Sequence, residues 1–145
     1  MNLYRIKLSD MMDAMKVSEC PFCFIDEAYY QLYFKRLLDG VLDENYHEEW
    51  TKGGGFCKDH SRMLLKKGSA TGQAILYKYL LENWKDNWLN DEFDCPVCSK
   101  IQKDLIDSKK VFMWGLKNYP EFLKEFKASN GLCKGHFLSI YKDLD

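Results

Sequence analysis

Six cysteines and two of the three histidines fall into one pattern that the chain uses twice. "CPFC" supplies Cys20 and Cys23, and "GGGFCKDH" supplies Cys57 and His60. "CPVC" then supplies Cys95 and Cys98, and "NGLCKGH" supplies Cys133 and His136. Thiolate and imidazole are the ligands that zinc prefers, and three sulfurs with one ring nitrogen make a closed tetrahedral structural site. Two cysteines separated by two residues reach one ion from a tight turn. Cys57 and His60, three apart at the start of a helix, share a face. A helix N-terminus favours negative charge, which suits a ligating thiolate. The expectation is two zinc ions per chain, held by Cys20, Cys23, Cys57 and His60 and by Cys95, Cys98, Cys133 and His136. Pairing within each half is preferred over crossed pairing, because an ancestral half would then already hold a complete site.

Other readings of the same residues follow different chemistry. Cys-Pro-aromatic-Cys at a helix start is similar to a glutaredoxin dithiol, yet the βαβ setting of such a dithiol is missing from the pattern. An iron–sulfur cluster normally takes four cysteines, so it fits three cysteines and a histidine less well. A catalytic zinc keeps an open position, and four protein ligands leave none. Neither histidine has a neighbouring glutamate, and Asp59 has no acidic counterpart at Gly135. Lys58 and Lys134 each follow a ligand cysteine and read either as surface lysines or as counter-charges. His47, in "NYHEEW", reads as a solvated surface residue.

The elements that must position these residues read as helices throughout. Runs of β-branched residues alternating with polar ones are missing. Ser9 is expected to cap a short helix carrying Met11, Met12 and Met15. Pro21 opens a helix to about Leu38, with Ile25, Ala28, Tyr29 and Leu32 on one face, and Gly40 ends it. Asp43 can cap a helix through Trp50, which the glycines at 53 to 55 terminate. A helix from about Cys57 to Gly68 follows, then a long one from about Gly72 to Leu89 with Ile75, Leu76, Tyr79, Leu80, Trp84 and Trp88 as its apolar stripe. In the second half helices are expected from Pro96 to about Leu116, over "PEFLKEFKA", and from about Cys133 with Phe137, Ile140 and Tyr141.

The offsets between the halves are regular. Cys20 to Cys95 and Cys23 to Cys98 are each 75 residues; Cys57 to Cys133 and His60 to His136 are each 76. The fold class expected is all-α: a tandem duplication of a three-helix unit, each unit stapled by its own metal. One compact domain spans 1–145, with repeat units at about 18–68 and 93–145 and a bridging helix at about 72–89. A unit of about 50 residues is small enough to need a staple.

Composition narrows the function. The chain has 145 residues, 46% of them hydrophobic and 15% aromatic, so it is not a disordered segment. Its formal net charge of −1 leaves no basic excess for nucleic acid. No apolar run suits a membrane span, and "MNLYRIKLSDMMDAMK" lacks a signal peptide's apolar stretch. A cytoplasmic setting is expected, where thiols stay reduced.

As a set, the quoted motifs resemble a prokaryotic family of uncharacterised proteins that carry Cys-Pro-x-Cys followed by Gly-Phe-Cys-x-x-His, then a second similar set. The resemblance spans about residues 15 to 142, and "MWGLKNYPEFLKEF" belongs to it. The second half reads Gly-Leu-Cys in place of Gly-Phe-Cys, which keeps an apolar residue. The family carries no activity to transfer. The expected role is a scaffold or protein-interaction module and not an enzyme, with a thiol redox protein or redox sensor as the alternative.

Overall fold

The computed structural model describes residues 3–17, 19–43, 51, 53–87 and 93–142. These contain seven helices and no strand: α1 (Leu3–Met15), α2 (Pro21–Asp39), α3 (Lys58–Lys66), α4 (Ala70–Asn87), α5 (Pro96–Asn118), α6 (Pro120–Ala128) and α7 (Lys134–Tyr141). The helix expected from Asp43 to Trp50 falls on residues 44–50, outside the described residues, as do His47 and Trp88. Proline stands first in α2, α5 and α6, where its missing N–H costs nothing and its fixed φ suits the helix. The first helix begins well before Ser9, which lies in its interior rather than at its cap.

The chain divides into two compact units. Unit one comprises residues 1–29 and 102–145; unit two comprises residues 30–101. These boundaries cut across the repeat halves read from the sequence, because α2 and α5 each run from one unit into the other. Unit two also contains all of α4. That helix, expected as a bridge between halves, contributes Leu76 and Leu80 to the core of unit two.

In unit one, Leu8, Met11 and Met15 of α1 pack with Phe22 of α2, Val111 and Phe112 of α5, Phe122 of α6 and Ile140 of α7. Phe112 sits edge-on to Phe22 and to Phe122, with centroids 5.4 and 5.7 Å apart. Edge-to-face pairs of this kind add to the gain from burial, itself about 1.5–3 kcal/mol for each large side chain. Gly115 permits the approach of α1 and α6 to α5. A Cβ there would lie 2.8 Å from Leu8 Cδ1 and 2.9 Å from Phe122 Cδ1.

Unit two buries Phe34 and Leu37 of α2, Phe56, Leu64 of α3, Leu76 and Leu80 of α4, and Cys95 and Val97. Gln73 is buried with them, and its amide donates to the carbonyls of Leu64 and Gly68. It thereby adds a second donor to the Leu64 carbonyl, which also accepts the Lys67 N–H, and serves the Gly68 carbonyl just past the end of α3.

The face expected on α2 is revised. Ala28 and Leu32 are exposed, while Phe22, Phe34 and Leu37 are buried. The helix serves two cores in succession. Twelve residues separate Phe22 from Phe34, and at 3.6 residues per turn the buried face rotates by about 120° between them. A single stripe read along the whole helix therefore averages two directions. Of the three apolar residues noted on α7 in the sequence, Ile140 is buried, while Phe137 and Tyr141 are exposed and stack on each other.

Candidate metal centres

All four half-sites are built the same way. The carbonyls of Cys20, Cys57, Cys95 and Cys133 accept bonds from the N–H groups of Phe24, Ser61, Ser99 and Phe137, at 2.9–3.1 Å. Each of these cysteines is therefore the residue that caps a helix N-terminus. Cys57 and Cys133 have the extended backbone of such caps, with φ −61°, ψ 165° and φ −64°, ψ 159°. The second ligand of every pair, Cys23, His60, Cys98 or His136, stands three residues later. Cap and third-position side chains meet over the open N–H groups, as they do in a capping box. The glycines before Cys57 and Cys133 make the entry turn. Gly55 has φ +96° and Gly131 has φ +73°, a region that side chains with a Cβ seldom adopt.

The half-sites assemble in crossed pairs. Cys20 and Cys23 meet Cys133 and His136 in unit one; Cys57 and His60 meet Cys95 and Cys98 in unit two. All eight residues chosen from the sequence are brought into two groups. Pairing within each repeat half, and with it a staple internal to each half, is overturned. The reason in unit two is a backbone contact. Asp94 N–H donates to the Gly53 carbonyl at 3.0 Å, which lays the turn before α3 against the turn before α5. The fit leaves no room for a side chain, since a Cβ on Gly53 would collide with the Asp94 carbonyl oxygen. In unit one the ring of Phe22 stacks on His136, with centroids 5.3 Å apart, and sets α7 beside the start of α2.

Within each group the four candidate ligand atoms lie within 4.8 Å of one another. In the first, Nδ1 of His136 is 3.5, 3.4 and 3.2 Å from the sulfurs of Cys20, Cys23 and Cys133, and the sulfurs of Cys23 and Cys133 are 3.7 Å apart. In the second, Nδ1 of His60 is 3.1, 3.4 and 3.4 Å from Cys57, Cys95 and Cys98, and the sulfurs of Cys57 and Cys98 are 3.8 Å apart. A tetrahedral zinc with Zn–S near 2.3 Å and Zn–N near 2.05 Å has edges of about 3.8 Å between sulfurs and about 3.5 Å from sulfur to nitrogen. Both groups are close to those edges. A disulfide needs its sulfurs at about 2.05 Å, and all six cysteines are free thiols.

Charge and burial are graded across each group. Cys20, Cys95 and His60 are buried, whereas Cys98 and Cys133 are exposed. The N–H of His136 lowers the thiol of Cys133, outweighing what burial there is. Burial pushes the Cys57 thiol up, but the His60 N–H, the Cys98 thiol and the Asp59 N–H together bring it below its ordinary value. Burial, then the thiols around them, push Cys23 and Cys98 up to about 12. Burial also lowers His60 below its ordinary value, with the Asp59 carboxylate pulling the other way. Lys58 and Lys134 lie exposed at the first position of α3 and α7. The counter-charge is nearer at hand: two helix N-termini of about +0.5 each face every group, close to the −1 of three thiolates with a divalent ion.

One residue at the first group had no role in the reading of the sequence. Asp26 Oδ2 lies 3.5 Å from Nε2 of His136, on the side of the ring away from the sulfurs. Its position one turn after Cys23 on the same helix face was the available signal.

Fold and site together define an all-helical protein with two Cys₃His groups, each able to hold a metal ion. The chain belongs to a family of unknown function (DUF6062), which matches residues 1–91. That match ends before Cys95, so it contains one half of each crossed group. An uncharacterized 23.9 kDa protein in xynA 3'region from Caldicellulosiruptor sp. (strain Rt8B.4) is 21% identical over 140 residues, covering 90% of this chain and 69% of the relative. No solved structure matches the chain. Among the described residues, no helix is long and apolar enough to cross a membrane.

Proposed function

We propose that the chain binds two zinc ions in closed structural sites and serves as a scaffold or protein-interaction module. The observation that carries this reading is the set of sulfur–sulfur and sulfur–nitrogen distances, which approach the edges of a zinc tetrahedron in both groups. Three thiolates select zinc over hard cations such as magnesium or calcium. Four protein ligands fill the coordination sphere, so no position is left for a substrate or an activated water. The regular 75- and 76-residue offsets support a duplication in which the second half-sites have changed partners. Elemental analysis of the reduced, purified protein tests the metal. Two zinc ions per chain are expected. Iron with sulfide, or no metal after zinc reconstitution, would refute the structural-zinc reading.

A redox reading rests on a separate observation: each group has one exposed cysteine, and Cys133 has a lowered thiol. An exposed thiol of lowered pKa, as at Cys133, is the kind that oxidants reach first. A peroxide could take two electrons from two ligand thiolates, leaving a disulfide and a released ion. Stoichiometric zinc release by peroxide, reversed by a dithiol reductant, would favour this sensor role over a purely structural one.

A further inference from the structure

We infer that Asp26 is the outer partner of His136, and that it makes the two centres unequal. A neutral imidazole carries one ring proton. His136 presents Nδ1 to three sulfurs at 3.2–3.5 Å and Nε2 to the Asp26 carboxylate at 3.5 Å. With the proton on Nε2 donated toward the carboxylate, Nδ1 holds the lone pair that an ion needs. A histidine ligand is usually tied down in this way, which fixes its tautomer and strengthens it as a donor. Asp26 is placed for the task by α2 itself, one turn beyond Cys23, and its side chain is only 26% exposed. Less water competes there for the carboxylate than at an open surface.

The second centre is built differently at the matching position. An offset of 75 residues relates Cys20 and Cys23 to Cys95 and Cys98, and it relates Asp26 to Ile101. Ile101 packs against the apolar core of unit two. His60 is bordered by rings, with centroids 5.2 Å away for Tyr30 and 6.5 Å for Phe34. Among the described residues no carboxylate lies within ion-pair distance of its ring. The first centre therefore holds its histidine with a carboxylate as well as with the stacked Phe22, and the second holds its histidine among rings without an ion-paired carboxylate. Loss of an outer-sphere partner typically weakens metal binding about 10–100-fold, so that span is the effect expected of Asp26.

This inference rests on the metal reading above, and the test separates the two. The full chain is loaded with zinc, and release of each ion to a chromogenic chelator is followed for the wild type, Asp26→Asn and Asp26→Glu. In Asp26→Asn one of the two ions should leave about 10–100-fold faster while the other leaves at the wild-type rate. Asp26→Glu should recover part of the difference. Nitrogen-15 spectra of the loaded protein should show His136 bound through Nδ1 with a proton on Nε2, and that proton should exchange with water faster in Asp26→Asn. Equal acceleration of both ions would mark a general loosening and overturn the inference. So would unchanged release, or His136 bound through Nε2. A wild type that takes up no zinc overturns both readings; a wild type holding two ions that Asp26→Asn does not distinguish overturns this one alone.

Discussion

Cys23 and Cys98 occupy the same third position of their helices, and both thiols are pushed up to about 12 by burial and by neighbouring sulfur. At neutral pH the ion-free chain therefore keeps a proton on each. Zinc binds thiolate, so each centre must release at least one proton as it fills. Affinity should fall as pH falls, by about tenfold per pH unit for each proton exchanged. Zinc titrations at pH 6 and pH 8, with proton release followed by an indicator, check this; an affinity that does not change with pH would contradict it. Residue substitutions also test the crossed pairing. Cys57→Ser with Cys98→Ser removes two ligands from one centre if the groups are crossed, and one from each if pairing stays within the halves. The double variant should retain one tightly held ion per chain, with Cys20, Cys23, Cys133 and His136 around it. Loss or weakening of both ions to the same extent would contradict the geometry. His60→Ala should be milder than either cysteine change, because water can take the vacant position while three sulfurs hold the ion.

At the scale of elements, the decisive contacts are between turns and helix starts. Gly53 lies against the carbonyl of Asp94 so closely that any side chain there must push the two turns apart. The turn carrying Gly53 leads to Cys57, and Asp94 precedes Cys95. Gly53→Ala should therefore loosen the centre of unit two and leave that of unit one in place. Overpacking of this kind costs about 1–3 kcal/mol. The expected result is a lower melting temperature together with faster chelator-driven loss of a single ion. Gly115→Ala gives the converse case. Its Cβ would press on Leu8 and Phe122 in the core of unit one, away from any ligand turn. It should lower stability by a similar amount without selective loss of the ion in unit two.

For the whole molecule, both units end in the same dependence. Each centre ties together helix starts that are distant in sequence: α2 with α7 in unit one, and α3 with α5 in unit two. Apparent binding free energies of structural zinc are about 10–16 kcal/mol, while entire domains are stable by only about 5–15 kcal/mol. Strong chelation under reducing conditions should lower helicity and melting temperature and expose thiols. Far-UV circular dichroism with thermal unfolding, with and without chelator, provides the measurement. Full helix content and an unchanged melting temperature in the metal-free reduced chain would refute a structural role for the ions.

The eight candidate ligands, the helical class and most helix starts were legible in the chain itself. Cysteine and histidine carry their chemistry wherever they stand, and Pro21, Pro96, Pro120, Gly55 and Gly131 impose local backbone that no distant contact need supply. The motif spacing also placed the ligands at helix N-termini, since cap and third position are three residues apart by the geometry of one turn. Partner choice was not local. Cys57 and His60 are separated by similar distances along the chain from Cys23 and from Cys95, so spacing alone could not decide between them. The approach of the Gly53 and Asp94 backbones and the stacking of Phe22 on His136 decided it. The same holds for α2, whose buried face turns because its two ends enter different cores, and for Asp26, whose meaning depends on a histidine 110 residues away. Local chemistry follows from neighbours in the chain, whereas pairing and burial follow from packing, which only the tertiary structure sets.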